Sequence, residues 1–327
     1  MNKSFKNYDE QMTYLNDEKE ILVEERDKIH LIRQGYFNLI NGYKAPFIEG
    51  FTSDGKHKYW KGTTVQHIQY VKNFDERLRY HLLEHITRIE EEIRQTFAYK
   101  FDFINSNFSW NTIEAYDTNE FNQEEIQELI NDIEKELDES NLSYVRHYKN
   151  KHGFIPTWIV TKNIRFHTLI RFIKFSKVEV KSEFCDLYGI ETTSRRNNNN
   201  PKLNFSVLLS TLNWMRWVRN SCAHNERVYG MIRTGQRKVT KYHRLLISRY
   251  RHERDKNLVD LFIFIKYYLP HDEYVIFIEK IKKLMLDLEG KIYEEAFRRV
   301  KNNIGLRQVQ HLDLLLNSPK EIEYEKY

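Results

Sequence analysis

An arginine, an asparagine and a histidine lie close together where a strongly apolar segment ends. Arg219, Asn220 and His224 follow residues 208–218, whose leucine and tryptophan side chains predict a buried helix. Histidine titrates near neutrality and can act as base or acid, whereas arginine stays charged and holds phosphate through paired donors. The asparagine amide both donates and accepts, so it could orient the imidazole. These three residues are therefore candidate catalytic groups for RNA cleavage through the 2′-hydroxyl, without a metal or another cofactor.

The spacing of the three residues limits how they can act together. Asn220 and His224 share one helix face because they are four residues apart. Arg219 lies about 140° round the helix from His224, at roughly 100° per residue. Both side chains reach one phosphate only if the helix ends or bends there, or if two motifs meet across a homodimer. The structural alternative is that Arg219 and His224 bind the last carbonyls of the helix as a cap.

The arginine–histidine spacing alone is a weak signal, because most matches to it must be accidental. The adjacent asparagine, the small residues 221–223 and the apolar helix distinguish Arg219 and His224 from the other matches. These other matches are Arg79/His85, Arg146/His152 and Arg237/His243.

Composition and charge restrict the class of protein. The chain has 327 residues, of which 40% are hydrophobic and 14% aromatic, so it can bury a large core and disorder is not expected. Only 11 glycines and 5 prolines interrupt it, which argues against a many-stranded β-fold. The net charge of +5 is compatible with a nucleic-acid partner but does not establish one.

The two cysteines and the hydropathy indicate a soluble, cytoplasmic protein. Cys185 and Cys222 cannot by themselves form a disulfide framework or a four-ligand zinc site. The first residues have no apolar signal core, and no apolar run is long enough to cross a membrane. We therefore expect no membrane partner.

Hydrophobic residues at helical spacing predict an all-α fold. The longest helix is predicted from about 64 to 101, with apolar residues three or four positions apart throughout. Residues 103–122 are polar and aromatic, and they are predicted to form a loop. The other helices are predicted at 8–33, 123–149, 156–178, 203–224, 239–254, 256–268, 271–300 and 306–316.

The order of these elements suggests one compact unit with two parts. Residues 1–62 are expected to form an N-terminal helical segment, which includes an irregular stretch from Pro46 to Gly62. This segment is expected to pack on a helical domain formed by residues 63–327.

Cations and an aromatic ring near the motif are candidate RNA contacts. Single-stranded RNA is bound by cations at its phosphates and by rings that stack on its bases. A scattered basic surface is the simpler interpretation of any one of these residues. Glu90 and Arg94 on the long predicted helix could form a supporting network under the site, or only a solvated i,i+4 pair. The candidate RNA-binding residues are Arg216, Arg227, Arg233, Arg237, Lys238, Lys241, Tyr242 and Arg244.

A second pattern on the long predicted helix suggests different chemistry. His81, Glu84 and His85 fit the H-x-x-E-H arrangement of inverted zinc proteases, in which two histidines bind zinc and the glutamate acts as a base. Such an enzyme needs a third protein ligand for the zinc ion, and no downstream segment has a recognisable pattern for one. Histidine near glutamate on a solvated helix face is the more common origin of this pattern.

Several segments of the chain, in order, resemble one known protein family. The motif Arg219–Arg227 resembles the signature of Abi-like proteins, the AbiD/AbiF group of bacterial phage-resistance proteins within the HEPN class. One departure lies at Lys162–His167, where related chains usually carry a glutamate followed by phenylalanine-glycine. The resemblance covers roughly residues 8–230, and the C-terminal hundred residues add helices without matching motifs. The other similar segments are Gly35–Leu39, Gly42–Phe47, Phe74–Arg79, Ile89–Arg94, His147–Tyr148 and Pro156–Val160.

This resemblance implies an all-α HEPN-type helical bundle with extra N- and C-terminal helices. It also implies a homodimer that pairs two motifs, a metal-independent RNase activity used as a toxin in abortive infection, and control by a small non-coding RNA. Arg219, Asn220 and His224 match the family's motif. Two other functions stay open: a non-catalytic RNA-binding protein that uses the same basic site, and a helical protein-interaction module in which the motif is only a cap.

Overall fold

A 40-residue helix, α3 (Val65–Ile104), is the central element of the fold. Within the described residues the chain is predominantly helical, which confirms the predicted all-α class. The computed structural model describes residues 5–190, 201–234, 240, 242–246 and 256–317.

Local capping and a regular apolar stripe explain why α3 forms where the sequence predicts it. The Thr64 hydroxyl accepts the backbone N–H of His67 at 3.1 Å, and the Thr64 N–H donates to the His67 ring at 3.2 Å. This reciprocal cap satisfies two backbone groups that a helix start leaves unpaired. The predicted helix 64–101 is confirmed. Its buried stripe contains Ile68, Val71, Phe74, Leu78, Leu82, Ile86, Ile89, Ile93 and Phe97.

Shorter helices surround α3 and bury it. These helices are, in chain order, α1 (Tyr8–Thr13), α2 (Lys28–Gln34), α4 (Gln123–Asp138), α5 (Ser143–His147), α6 (Thr157–Asn163), α7 (Phe166–Phe175), α8 (Val178–Leu187), α9 (Pro201–Ala223), α10 (His243–Leu246), α11 (Leu258–Ile265), α12 (His271–Glu289), α13 (Glu294–Ile304) and α14 (Asp313–Leu316). Among them, α6, α9 and α12 make the most extensive contacts with α3, and α9 also packs against α7, α8 and α11.

The single helix predicted over 8–33 is wrong, because the chain breaks between α1 and α2. Glu20 has a positive φ of 53°, a conformation that interrupts a right-handed helix. The extended residue Leu22 then donates to the carbonyl of Thr63 at 2.8 Å and accepts from Val65 at 3.1 Å. This contact attaches the N-terminal segment to the start of α3.

A two-stranded hairpin lies in the stretch for which the sequence predicted only irregular structure. Strands β1 (Ile48–Phe51) and β2 (His57–Tyr59) pair antiparallel, with Ile48 opposite Tyr59 and Phe51 opposite His57. The strands are three and four residues long, too short to produce a clear alternating pattern in the sequence.

The helix predicted over 156–178 is divided into α6 and α7. Ile164 and Arg165 are extended, and the Glu136 carboxylate accepts the N–H of Arg165 and the hydroxyl of Thr168, both at 2.6 Å. Glu136 therefore provides an acceptor for the start of α7. This division leaves the last carbonyls of α6 available to hydrogen-bond donors from outside the helix.

Two further predicted helices are also divided. The segment 123–149 forms α4 and α5, and the segment 271–300 ends α12 at Glu289, just before Gly290, and resumes as α13. Much of the helix predicted at 239–254 lies outside the described residues. In the described part of the chain, no helix combines the length and the apolar character needed to span a bilayer.

Candidate active site at the end of α9

The helix α9 ends at the arginine–asparagine–histidine motif, in a turn that is held by backbone hydrogen bonds. Asn225 has a positive φ of 57°, and its N–H donates to the carbonyl of Cys222 at 3.2 Å. The next N–H, of Glu226, donates to the carbonyl of Ser221 at 2.9 Å. These two bonds form a Schellman motif, which satisfies helix-end carbonyls through the backbone alone. The motif therefore does not depend on the His224 ring as a carbonyl cap.

Arg219 is held from below by a buried carboxylate on α3. Its Nε lies 3.5 Å from Oε2 of Glu90, whose side chain is 8% exposed, whereas the Arg219 side chain is 38% exposed. The other oxygen of Glu90 accepts Nη2 of Arg94 at 2.5 Å. One carboxylate thus lies between two guanidinium groups, and only one of these groups faces solvent.

Arg94 connects this carboxylate to the end of α6. Its Nη1 donates to the carbonyl of Ile164 at 2.7 Å and also to the carbonyl of Thr161. Glu90 and Arg94, the predicted supporting residues, therefore lie beneath Arg219. They form a half-buried network rather than the solvated pair considered as the alternative.

Asn220 and His224 lie on the open side of the same helix end. His224 is exposed and Asn220 is partly exposed. The Asn220 side-chain oxygen accepts Nη1 of Arg219 at 3.3 Å, so in this chain the amide contacts the arginine rather than the imidazole. The structure thus brings Arg219 and Asn220 into contact, and it places the exposed His224 one turn further along the same helix.

A second carboxylate of α3 fixes the segment that follows the motif. The buried Asp75 accepts the N–H groups of Val228 at 3.0 Å and Tyr229 at 2.9 Å with one oxygen. Its other oxygen accepts the Tyr43 hydroxyl at 2.9 Å and Nη1 of Arg79 at 2.5 Å. Sequence reasoning quoted the segments around Asp75 and Tyr43 only as family likeness and missed this role, since the bonds join residues far apart in the chain.

The contacts of Glu90 and Asp75 show in which direction the end of α9 and the following segment cross α3. Arg219 lies beside Glu90, and the later residue Val228 lies beside the earlier residue Asp75. The chain from Arg219 to Val228 therefore runs antiparallel to α3. Nη1 of Arg79 also donates to the carbonyl of Glu226 at 3.4 Å, so α3 contacts this segment at a further point.

A cationic strip continues from the motif along α9. The guanidinium of Arg233 lies over the ring of Trp217, 5.8 Å from its centroid, and Trp217 is 36% exposed. Burial and then the nearby charge of Arg233 lower the pKa of Arg216. Burial, followed by the charge of Arg216, also lowers the pKa of His167. These shifts indicate that Arg216 and Arg233 lie in one positive region, which adjoins His167.

Arg227, another predicted RNA contact, is exposed but already has protein partners. Its Nη1 donates to the carbonyl of Gly42 at 2.7 Å, and its guanidinium lies over the Tyr229 ring. Arg227 therefore joins the segment after the motif to the N-terminal part of the chain.

The prediction for Tyr242 is corrected by its burial. Tyr242 is 6% exposed, its ring lies 4.9 Å from that of Tyr267, and Lys266 covers it at 5.1 Å. No face of this ring is open to stack on a base, because the apolar ring is used in the core. Arg237, Lys238 and Lys241 lie outside the described residues, as does the side chain of Arg244.

The motif cysteine is not a candidate nucleophile. Cys222 is 5% exposed, and burial raises the pKa of its thiol to about 12. Since the thiolate is the reactive form, this sulfur stays protonated and unreactive near neutral pH. Of the three predicted catalytic residues, Arg219 and His224 present ionisable groups to solvent.

Comparison with known proteins gives one match. A family model described as "Abi-like protein" matches residues 30–230, which is more than half of the chain and includes α3, the motif and the Asp75 contacts. No curated protein and no solved structure gives a significant match.

Proposed function

Because the chain belongs to the Abi-like protein family, whose name indicates abortive infection in phage defence, we propose that it is a metal-independent endoribonuclease of the HEPN type. In this proposal it acts as a toxin that cleaves RNA in infected cells. The observation that carries the proposal is the contact of Arg219 with the buried Glu90, at a helix end whose last turn also carries the exposed His224.

The proposed reaction is an attack by the RNA's own 2′-hydroxyl. A neutral imidazole takes the 2′-hydroxyl proton while the 2′-oxygen bonds to phosphorus, and the bond from phosphorus to the 5′-oxygen breaks. The leaving 5′-oxygen takes a proton from an imidazolium, so the products are a 2′,3′-cyclic phosphate and a 5′-hydroxyl. Arg219 stabilises the negative charge that builds on the phosphate, and Asn220 keeps the guanidinium in place.

Two histidines serve this reaction better than one, because a base and an acid act at opposite ends of the phosphate. A homodimer that brings two copies of α9 together supplies both. The solvent-facing position of His224 is compatible with such a pairing. We include the homodimer, and restraint of the toxin by a small non-coding RNA, in the proposal.

RNA binding is assigned to the positive region beside the motif. Arg216 and Arg233 supply charge, and the partly exposed Trp217 supplies a ring for base stacking. Arg227, Arg237, Lys238, Lys241 and Arg244 remain proposed phosphate contacts.

The deciding experiment compares cleavage of RNA by the wild-type protein and by His224→Ala. Loss of a general acid or base is expected to lower the rate by about 10²–10⁴-fold. The matched control is His152→Ala, because Arg146 and His152 repeat the spacing on an exposed surface. Wild-type cleavage is expected to survive EDTA and to leave a 2′,3′-cyclic phosphate.

The outcomes separate this activity from its alternatives. Equal cleavage by wild type and His224→Ala contradicts the assignment, and a strict Mg²⁺ requirement contradicts the 2′-hydroxyl mechanism. Salt-dependent binding of RNA without any cleavage product would instead indicate a binding protein. Sequencing the RNA that co-purifies with each variant identifies the substrate or the regulatory RNA.

A further inference from the structure

A second group of side chains able to bind a metal lies on α3, where this helix packs against α12. His81, Glu84 and His85 each offer one ligand atom, and these atoms all lie within 4.8 Å of one another. The imidazole rings are 4.5 Å apart between centroids, and both rings contact Phe277 of α12.

The hydrogen bond of His81 fixes which of its nitrogens is free. Its Nε2 lies 2.9 Å from the carbonyl oxygen of Phe277, and a carbonyl only accepts, so Nε2 carries the proton. The lone pair is therefore on Nδ1. This atom is buried, has no hydrogen-bond partner among the described residues, and lies 3.9 Å from Oε2 of Glu84. His81 itself is 2% exposed.

His85 is oriented in the complementary way. Its Nδ1 lies 2.9 Å from the carbonyl of His81, which again identifies the nitrogen that donates. The lone pair of His85 is consequently on Nε2. Histidines that bind metals usually donate their second N–H to a carbonyl or carboxylate, and both of these histidines already do so.

We propose that His81, Glu84 and His85 form a binding site for a transition-metal dication such as Zn²⁺. Two imidazole nitrogens and a carboxylate are ligands that Zn²⁺ accepts, and they leave one of its four positions open. Glu84 is a metal ligand here, and not the base of the protease pattern. A surface cavity of about 480 Å³, lined by His81 and Glu84 together with Tyr80 and Lys283, adjoins the site.

One cation competes with the metal for the carboxylate. Nζ of Lys280 lies 3.9 Å from Oε2 of Glu84, and the two side chains are 54% and 67% exposed. An exposed ion pair of this length contributes little free energy, so the lysine can move away when a dication binds. Removing its charge by Lys280→Met is therefore expected to increase the affinity for Zn²⁺.

The site is separate from the one proposed for RNA cleavage. His81 precedes Glu90 by nine residues, which places them on opposite sides of α3 at about 100° per residue. His81 also connects α3 to α12 through the carbonyl of Phe277. Binding to the folded state alone is therefore expected to stabilise the packing of these two helices.

The test measures binding of Zn²⁺ to the full chain after removal of metals with a chelator. Titration calorimetry is expected to give one site per chain, and Co²⁺ is expected to give the visible absorption of a low-symmetry site with nitrogen ligands. His85→Ala and the exposed Glu84→Gln should each weaken binding by more than about tenfold, since even outer-shell substitutions cost that much.

The control for adventitious binding is a second pair of histidines. His147 and His152 are exposed, with ring centroids 5.5 Å apart, so His152→Ala removes a comparable surface pair. His152→Ala should leave the affinity unchanged. Equal affinity of wild type, His85→Ala and Glu84→Gln, or loss of binding in His152→Ala, overturns the proposed site. RNA cleavage is not the readout, so this result is independent of the proposed nuclease activity.

Discussion

Two pairs of the same kind on α3 have different surroundings. Asp75 and Arg79, like Glu90 and Arg94, are a carboxylate and an arginine four residues apart, and each pair is 2.5 Å long. The carboxylates are 15 residues apart, which is about 22 Å along a helix. Asp75 accepts four hydrogen bonds and has no exposed surface, whereas Oε2 of Glu90 accepts none among the described residues and faces Arg219.

This difference separates a structural contact from a positioning contact. Every acceptor direction of Asp75 is occupied by groups that hold the segment after α9, so removing its charge disturbs the fold. Within the described part of the chain, only one oxygen of Glu90, the one that faces Arg94, accepts a hydrogen bond. The other oxygen has a weaker contact with Arg219, so in the proposed reaction this guanidinium is able to turn toward a phosphate. The same local sequence pattern therefore fixes the chain at one end of the site, and at the other end it positions the arginine of the proposed reaction.

The largest expected effect is on stability, from Asp75→Asn. Breaking a buried ion pair by removing one charge costs about 3–5 kcal/mol, so the free energy of unfolding should fall by that amount in urea denaturation. Glu91→Gln, an exposed change on the same helix, is the control. A loss of under about 1 kcal/mol would contradict the structural role of Asp75.

A graded version of this test removes only one donor to Asp75. Tyr43→Phe deletes the hydroxyl that donates to its carboxylate and leaves the ion pair with Arg79 intact. The expected loss of stability is about 0.5–1.5 kcal/mol, measured in the same way. This variant keeps the comparison testable if Asp75→Asn does not fold.

The next effect is on cleavage, from Arg219→Ala. Removing one group that stabilises developing charge is expected to lower kcat by about 10²–10³-fold, with little change in the free energy of unfolding. Arg146→Ala is the matched control, since this exposed arginine precedes His152 in the repeated pattern. Equal rates in wild type and Arg219→Ala would remove the arginine from the proposed mechanism.

Glu90→Gln should affect both properties, each to a smaller extent. The amide leaves Arg94 without its ion partner, which costs about 1–3 kcal/mol of stability. Arg219 loses the charge that positions it, so kcat should fall while KM changes little. Unfolding and single-turnover kinetics measured on the same preparation give the two numbers. A stability loss as large as that of Asp75→Asn would mean that the two pairs play the same role.

The smallest expected effect is on RNA binding, from Arg233→Ala. One lost phosphate contact should weaken binding similarly for all sequences and reduce the slope of log affinity against log salt by about one. Fluorescence anisotropy at several salt concentrations measures both. Lys177→Ala, a change on another part of the surface near Phe108, is the control. An unchanged salt slope would exclude Arg233 from the RNA path.

The predictions from sequence succeeded where a local pattern was long. The apolar stripe of α3 extends over about eight turns, and the end of α9 is indicated by its small and polar residues. The predictions were wrong where a single backbone conformation interrupts a pattern, as at Glu20 and between α6 and α7. Tyr242 is a different case, because exposure of one aromatic ring depends on Tyr267 and Lys266 and not on its neighbours in sequence.

The sequence by itself determined the helical class and the family, and it placed Arg219, Asn220 and His224 at the end of one helix, because these depend on spacing over a few turns. Only the tertiary structure decided that Glu90 lies under Arg219 while Asp75 closes the segment after α9. These contacts join residues more than a hundred positions apart, and the choice between them follows from how the helices pack. The same packing places Phe277 where its carbonyl fixes the proton of His81, which a pattern within one helix cannot specify.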